Sequence, residues 1–349
     1  MRRGQTAGRR VPAFAPAEEL PSGRPVDVRS ADGTRLHAEV FGPDDGQPIV
    51  LAHGITCAIR VWAHQITDLS RDYRVIAYDH RGHGRSGVPP RRDCYSLDHL
   101  AADLDAVLEA TVSPGERAVV AGHSMGGIAI TSWAERHPDR VPDRAAAVAL
   151  INTTTGDLLR DVQLLPVPPQ LAAARVRAAG TLLKTFGATP VPRAIYGPNQ
   201  RFLSMLAVGR DADPAIAAFV HELFASTPPA GRGGWARTLV DHLGPQHIGL
   251  ANLVVPTLVI GSEKDRLLPV TSARRIAKEV PNLAEYVELP GGHCAILERP
   301  DEVNKHLRLL AESVTPARRA ESVRPARRTE SVRPARRAES VRPARRATS

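Results

Sequence analysis

Aromatic side chains make up only 4% of this 349-residue chain, cysteines and methionines number three each, and lysines are scarce beside arginines. Cys57, Cys94 and Cys294 are odd in number and show neither paired nor metal-ligand spacing, which argues against a disulfide framework or a zinc site. A reducing compartment fits them, so a cytoplasmic protein is expected. No apolar run approaches the roughly 18 to 20 residues that span a bilayer; the longest, Ala145 to Ile151, is strand-sized. Arg2, Arg3, Arg9 and Arg10 open the chain with no apolar stretch behind them, so no secretory signal is expected. What is present, 42% hydrophobic and 24% charged residues, suffices for a sizeable core.

The net charge of +9 is unevenly spread. Residues from Ala311 onward carry +7 and the first ten residues +4, leaving −2 for Val11 to Leu310. A folded body of that charge gives no reason to expect nucleic acid as a partner. The C-terminal stretch repeats Glu-Ser-Val-Thr/Arg-Pro-Ala-Arg-Arg plus one spacer four times between Glu312 and Arg346. A proline in every repeat blocks a continuous helix and one valine per repeat builds no core, so residues 311–349 are expected to be a disordered tail and residues 1–24 a disordered basic arm. The tail is either a solvated extension from repeat expansion or an electrostatic grip on the anionic lipid of a membrane surface or on nucleic acid.

Between these arms, short Val- and Ile-rich runs alternate with helical patterns, the signature of a parallel sheet covered by helices. Val26 to Ser30 and Arg35 to Phe41, flanking Asp32-Gly33, predict an antiparallel hairpin. Six further strands are predicted at Pro48 to Ala52, Tyr73 to Tyr78, Arg117 to Ala121, Ala146 to Ile151, Pro256 to Ile260 and Glu285 to Leu289. Residues 155–241 hold helical patterns without a convincing strand. They are expected to form a helical cap over the strands' C-terminal edge, inserted into a core of residues 25–154 and 242–310.

The candidate chemistry lies at the strand ends. In Ala121-Gly122-His123-Ser124-Met125-Gly126-Gly127, a strand gives way to a helix, and glycines two before and two after the serine permit the cramped turn of a nucleophile elbow. Ser124 needs a histidine base and an acid to orient it. His293, in Pro290-Gly291-Gly292-His293, follows the last strand and precedes the final helix. In the order serine, acid, histidine, Asp265 is favoured as the acid, with Glu263 and Asp157 as competitors. The negative charge that develops in acyl transfer calls for two backbone donors: the N–H of Met125 at a helix start and that of Ile55 in the turn His53-Gly54-Ile55-Thr56; the side chains of these two donors are incidental to the role.

Four motifs in order, His53-Gly54, Asp79-His80-Arg81-Gly82-His83-Gly84-Arg85-Ser86, the elbow at Ser124, and Gly292-His293 with Leu297-Glu298-Arg299-Pro300, resemble the α/β-hydrolase superfamily. The resemblance covers about residues 25–310 and is to the single-serine, helical-cap branch of esterases, monoacylglycerol lipases and cofactor-free haloperoxidases. Epoxide hydrolases and haloalkane dehalogenases resemble it less, since they place a carboxylate where Ser124 stands. The resemblance implies a mostly parallel eight-stranded sheet flanked by helices, with Ser124 as nucleophile, His293 as base and Asp265 as orienting acid. It implies neither cofactor nor metal. His80 and His83 then belong to a tight turn after the fourth strand, Cys57 and Cys294 to packing, and His123 has no assigned role. The expected partner is a small carboxylic ester with a lipophilic acyl or alcohol part, since leucines and phenylalanines such as Leu158, Leu171, Phe219 and Phe224 are frequent in the expected cap. The rivals are a cofactor-free haloperoxidase using the same triad and a catalytically silent binding protein.

Overall fold

The computed structural model describes residues 20–161, 206–209 and 211–315, with isolated positions between 162 and 205. The tail repeats, most of the N-terminal arm and the first half of the expected cap lie outside the described residues.

Eight strands form one sheet: β1 (Arg24–Arg29), β2 (Arg35–Phe41), β3 (Pro48–Ala52), β4 (Arg74–Tyr78), β5 (Ala118–His123), β6 (Ala145–Ile151), β7 (Thr257–Ser262) and β8 (Leu283–Leu289), in the order β1-β2-β4-β3-β5-β6-β7-β8. The hairpin β1/β2 and the pair β2/β4 are antiparallel, and every other pairing is parallel. The expected eight-stranded, mostly parallel sheet is therefore observed, with shifted ends. β5 runs two residues past Ala121 because Gly122 and His123 keep pairing with Leu150 and Ile151, although neither looks like a strand residue.

The central strands β3, β5, β6 and β7 are buried along their whole length. Period-two alternation divides their side chains between two cores: Ile49, Leu51, Val119, Ala121, Ala147, Ala149 and Ile151 on one face, Val50, Ala52, Ala118, Val120, Val148 and Leu150 on the other. Helices cover both faces: α1 (Ala63–Leu69), α2 (Leu97–Thr111), α3 (Met125–Arg136), α4 (Pro214–Ser226), α5 (Pro229–His242), α6 (Val270–Glu279) and α7 (Pro300–Val314). Local chemistry sets their starts. Ser96 caps α2 by accepting the His99 N–H at 3.2 Å, and Asp213 caps α4 by accepting the Ala215 N–H at 2.8 Å, with Pro214 in the first turn. α7 continues past Leu310 to Val314, burying Ala311, and stops just before Pro316, which disfavours helical geometry at Thr315.

The chain runs from β3 outward to β4 and then crosses back to β5 on the other side of β3. That reversal makes β3/β5 the switch point of the sheet, where connections diverge and leave a crevice at the strands' C-terminal ends. The turn after β3, the elbow after β5 and the loops after β6, β7 and β8 all open at this edge. α4 and α5 lie between β6 and β7, and α5 docks on the loop after β4: Trp235 Nε1 donates to the Arg81 carbonyl at 3.0 Å. No helix among the described residues is long and apolar enough to cross a membrane.

Candidate active site

Ser124 stands between the last residue of β5 and the first of α3, with φ 54° and ψ −117°. This is a conformation that L-residues rarely adopt, held here by the surrounding hydrogen bonds. The Ser124 N–H donates to Ile151 O at 3.0 Å, and its carbonyl accepts Thr153 Oγ1 at 2.7 Å and the Gly127 N–H at 2.9 Å. The flanking glycines are obligatory on steric grounds. A Cβ at Gly122 would stand 2.4 Å from the Gly126 backbone, and one at Gly126 only 1.9 Å from the Ala52 carbonyl oxygen.

His293 Nδ1 lies 2.8 Å from Asp265 Oδ2, both side chains buried. A carboxylate only accepts, so Nδ1 carries the proton and Nε2 is the unprotonated nitrogen of the ring. Asp265 is itself fixed on four sides: Oδ1 accepts the N–H groups of Leu267 and Leu268 at 2.9 and 2.8 Å, and Oδ2 also accepts Asn152 Nδ2 at 3.1 Å. Its competitors are placed elsewhere. Glu263 is exposed, and Asp157 faces His247 at 3.4 Å and Arg275 at 3.9 Å. Between Ser124 Oγ and the His293 ring no hydrogen bond is formed in this structure; such bonds are commonly loose before substrate closes the site.

The turn after β3 is mounted on histidines. His53 Nε2 accepts the His80 N–H at 3.1 Å, so His53 Nδ1 is the protonated nitrogen and donates to Gly54 O at 2.7 Å. His83 Nε2 accepts the Thr56 N–H at 3.0 Å while its Nδ1 donates to Arg81 O at 3.1 Å. In a trans peptide the N–H points opposite to the C=O, so fixing the Gly54 carbonyl on His53 turns the Ile55 N–H the other way. Among the described residues neither the Ile55 nor the Met125 N–H finds an acceptor. The His53 ring thereby sets the orientation of the Gly54–Ile55 peptide, a role that the sequence pattern does not show.

These rings stay neutral. Burial depresses His53 well below its ordinary value, His80 to about 3 and His83 to about 4, with repulsion among the neighbouring histidines adding to the fall at His53 and His80. The turn after β4 that carries them is pinned by Arg81, whose buried guanidinium grips Asp103 of α2 at 2.6 and 2.7 Å and Asp32 of the β1/β2 turn at 2.7 Å. Asp79 in the same turn accepts the N–H groups of Ile59 and Arg85, and burial raises its pKa. Burial also pushes the Cys57 thiol up to about 12, in keeping with a packing role.

The sequence pattern does not single out Asn152, and it marks Glu298 only as part of the Leu297-Glu298-Arg299-Pro300 motif, with no task attached. Asn152, immediately after β6 with φ 45°, bridges Asp265 and Ser262; its signal was a polar residue at a strand end, a place where many residues are polar without purpose. Glu298 accepts the N–H groups of Gly292 and Gly209 at 2.9 and 3.0 Å and so ties the His293 loop to the segment preceding α4. Ile55 and Leu158 pack on an apolar cluster formed by Met125, Trp235, Leu239 and Ile248, among others, so both candidate donors border an apolar wall. Among the described residues no group of three or more His, Cys, Asp or Glu side chains is arranged to hold a metal ion.

A family model for the alpha/beta hydrolase fold matches residues 47–300. The chain belongs to that family. RutD of Variovorax paradoxus strain S110, named as a carbamate hydrolase, is 30% identical to this α/β hydrolase over 277 residues, covering 78% of this chain and 94% of RutD. A non-heme chloroperoxidase of Burkholderia pyrrocinia is 28% identical over 254 residues, covering 70% and 84% of the two chains. Among solved structures, the enol-lactonase from Burkholderia xenovorans LB400 superposes with a TM-score of 0.65 at 25% identity, covering 82% of this chain and 99% of that one. A thermophilic esterase from Thermogutta terrifontis gives 0.67 at 22% identity over 84% and 100%, a likeness of fold alone.

Proposed function

We propose that this α/β hydrolase is a serine esterase that cleaves carboxylic esters with a lipophilic acyl or alcohol part through an acyl-enzyme. The observation that carries this reading is the buried 2.8 Å pair of His293 and Asp265 at the same sheet edge as a serine on a strained elbow. Ser124 Oγ attacks the ester carbonyl carbon while His293 Nε2 takes its proton. The oxyanion is received by the N–H groups of Ile55 and Met125, and Asp265 stabilises the imidazolium. Collapse expels the alcohol, which takes the proton from Nε2. Water activated by the same base then attacks the acyl-serine and releases the acid. The apolar wall around Ile55 and Met125 favours lipophilic groups. We read residues 155–241 as a cap over this crevice, with the docking of α5 on the loop after β4 in support.

The test is turnover of a p-nitrophenyl ester series by wild type and Ser124→Ala: loss of turnover in the variant supports the reading, and equal activity contradicts it. The chloroperoxidase relative favours a second reading, in which hydrogen peroxide replaces water in deacylation and the resulting peracid oxidises halide. Peroxide- and acetate-dependent halogenation of monochlorodimedone that outpaces ester hydrolysis would select it. A binding protein without catalysis predicts that a fluorophosphonate probe leaves Ser124 unmodified. A membrane grip by the arginine repeats predicts salt-sensitive binding to anionic vesicles that disappears when residues 316–349 are removed.

A further inference from the structure

His123, the residue before the proposed nucleophile, takes no part in the steps above, yet its ring is 1% exposed and in contact with the base loop. Its Nε2 lies 2.9 Å from the backbone carbonyl oxygen of His293, 170 residues away in sequence. A carbonyl only accepts, so Nε2 carries the proton, and Nδ1 is an unprotonated nitrogen with no partner among the described residues. The ring lies 4.9 Å from the His293 ring, tilted by 48°, and edge-on to Trp62 at 6.4 Å. On its other side is the turn after β3: a Cβ at Gly54 would stand 3.2 Å from both His123 Nδ1 and Ser124 Cβ. One imidazole therefore touches all three parts of the site, belonging to the elbow, abutting the oxyanion turn and bonding to the base loop.

That loop is held on both sides of His293: the Gly291 carbonyl accepts the Lys264 N–H at 3.0 Å, the Gly292 N–H donates to Glu298 at 2.9 Å and the Cys294 N–H to the Ala207 carbonyl at 3.1 Å. Of the groups of His293 itself, Nδ1 is held by Asp265 and the carbonyl by His123. We propose that His123 is a positioning residue whose Nε2–H, bonded to the His293 carbonyl, holds the base at a set distance from the adjoining nucleophile. The neighbouring bonds of Gly291, Gly292 and Cys294 place the loop, and the two bonds made by His293 itself, Nδ1 on Asp265 and the carbonyl on His123, set the direction of Nε2 within it. Burial keeps His123 neutral, with its pKa pushed down to about 3, so the donor persists across the working pH range. This rests on the assignment of His293 as base.

The test compares the full-length wild type with His123→Phe, which fills the space of the ring without a donor, and His123→Gln, whose side-chain amide places an N–H near Nε2. His123→Asn, too short to reach, replaces the phenylalanine variant should that not fold. The readouts are kcat and KM for p-nitrophenyl butyrate, the rate of fluorophosphonate labelling of Ser124, the melting temperature, and the downfield proton resonance of the His293 Nδ1–H. The expected result for His123→Phe is a fall of about 30-fold in kcat and labelling rate, on the scale of a small misplacement of a catalytic group, with KM within about twofold and the downfield resonance broadened. His123→Gln recovers most of the rate and restores the resonance. A wild-type rate and resonance in His123→Phe, or a glutamine variant as impaired as the phenylalanine one, overturns the proposal while leaving the esterase reading intact. Failure of the wild type to be labelled at Ser124 overturns the esterase reading and this proposal with it.

Discussion

Among the described residues, the pairs Asp265–His293 and Asp157–His247 both lie at the strands' C-terminal edge, and they differ in burial, in distance and in the partners of each group. In the pair Asp265–His293 both side chains are at most 5% exposed and the contact is 2.8 Å; in Asp157–His247 they are 17% and 24% exposed and the contact is 3.4 Å. The carboxylate of Asp265 receives four donors, so it cannot turn away from the ring. Asp157 is shared with Arg275, and His247 Nδ1 already has Thr155 Oγ1 at 2.9 Å. The backbone around the second pair joins the segment after β6 to the segment before β7: the N–H groups of Asp157 and Leu158 donate to the carbonyls of Gly244 and Leu243, and that of Ile248 to Thr155. In the proposed reading the first pair orients the base; the second sits where the segment after β6 meets the segment before β7. A histidine beside an aspartate is common; burial, a full set of donors and a free Nε2 are what separate a base from a pair that only joins two segments.

The largest effect expected from breaking this contrast is that Asp265→Asn lowers kcat for p-nitrophenyl butyrate by about 10⁴-fold, whereas Asp157→Asn leaves it within about twofold. Comparable losses in the two variants would erase the distinction. Next in size is the removal of one donor. Asn152→Gly tolerates the positive φ of that position while deleting the side-chain bond to Asp265, and a loss of about tenfold in kcat is expected, in line with a hydrogen bond to a charged group.

Depth has a cost that pH exposes. His53, His80, His83 and His123 are held neutral in the fold, with pKa values depressed from 6.5. The unfolded chain takes up protons below about 6.5 while the folded one does not, so stability is complete above that pH and falls as pH drops toward 4 and 3. Each such histidine contributes about 1.4 kcal/mol per pH unit in that window. Urea unfolding at pH 7, 6 and 5 measures the slope, and replacing His83 by Gln, which cannot titrate, should reduce it; a slope unchanged by that substitution removes His83 from the account. The smallest effect is expected at the Asp157–His247 pair. His247→Ala should shift the melting temperature by only a few degrees, since a half-exposed pair contributes at most about 1 kcal/mol, and should leave ester turnover unaltered.

Much of the sheet was legible in advance because β3, β5, β6 and β7 each carry a short run of consecutive apolar residues without polar alternation, the pattern of a strand covered on both faces. Ser124, Asp265 and His293 stand out in the sequence as candidates because elbow chemistry demands small residues at fixed spacing and a set chain order. What was not legible is what depends on contacts between distant segments. The strand order gives no local signal. The sequence order favours Asp265 over Asp157, and the fold adds the partners: His293 for the one and His247 for the other. The roles of the His53 ring, of Asn152 and of His123 follow from partners 27 to 170 residues away or from a backbone carbonyl, neither of which leaves a mark in the pattern of residue types. β5 was expected to end at Ala121 because glycine and histidine carry no strand propensity, yet the parallel partner β6 continues the ladder to His123.

The central claim is that the buried Asp265–His293 pair activates Ser124. Reaction of the folded wild type with a fluorophosphonate probe, followed by peptide mass mapping, tests it most directly when run beside Asp265→Asn, His293→Ala and Asp157→Asn. The account predicts one adduct, on Ser124, formed at equal rates in wild type and Asp157→Asn and slowed by orders of magnitude in the other two; an adduct elsewhere, or labelling of Ser124 that ignores the loss of His293, would contradict it.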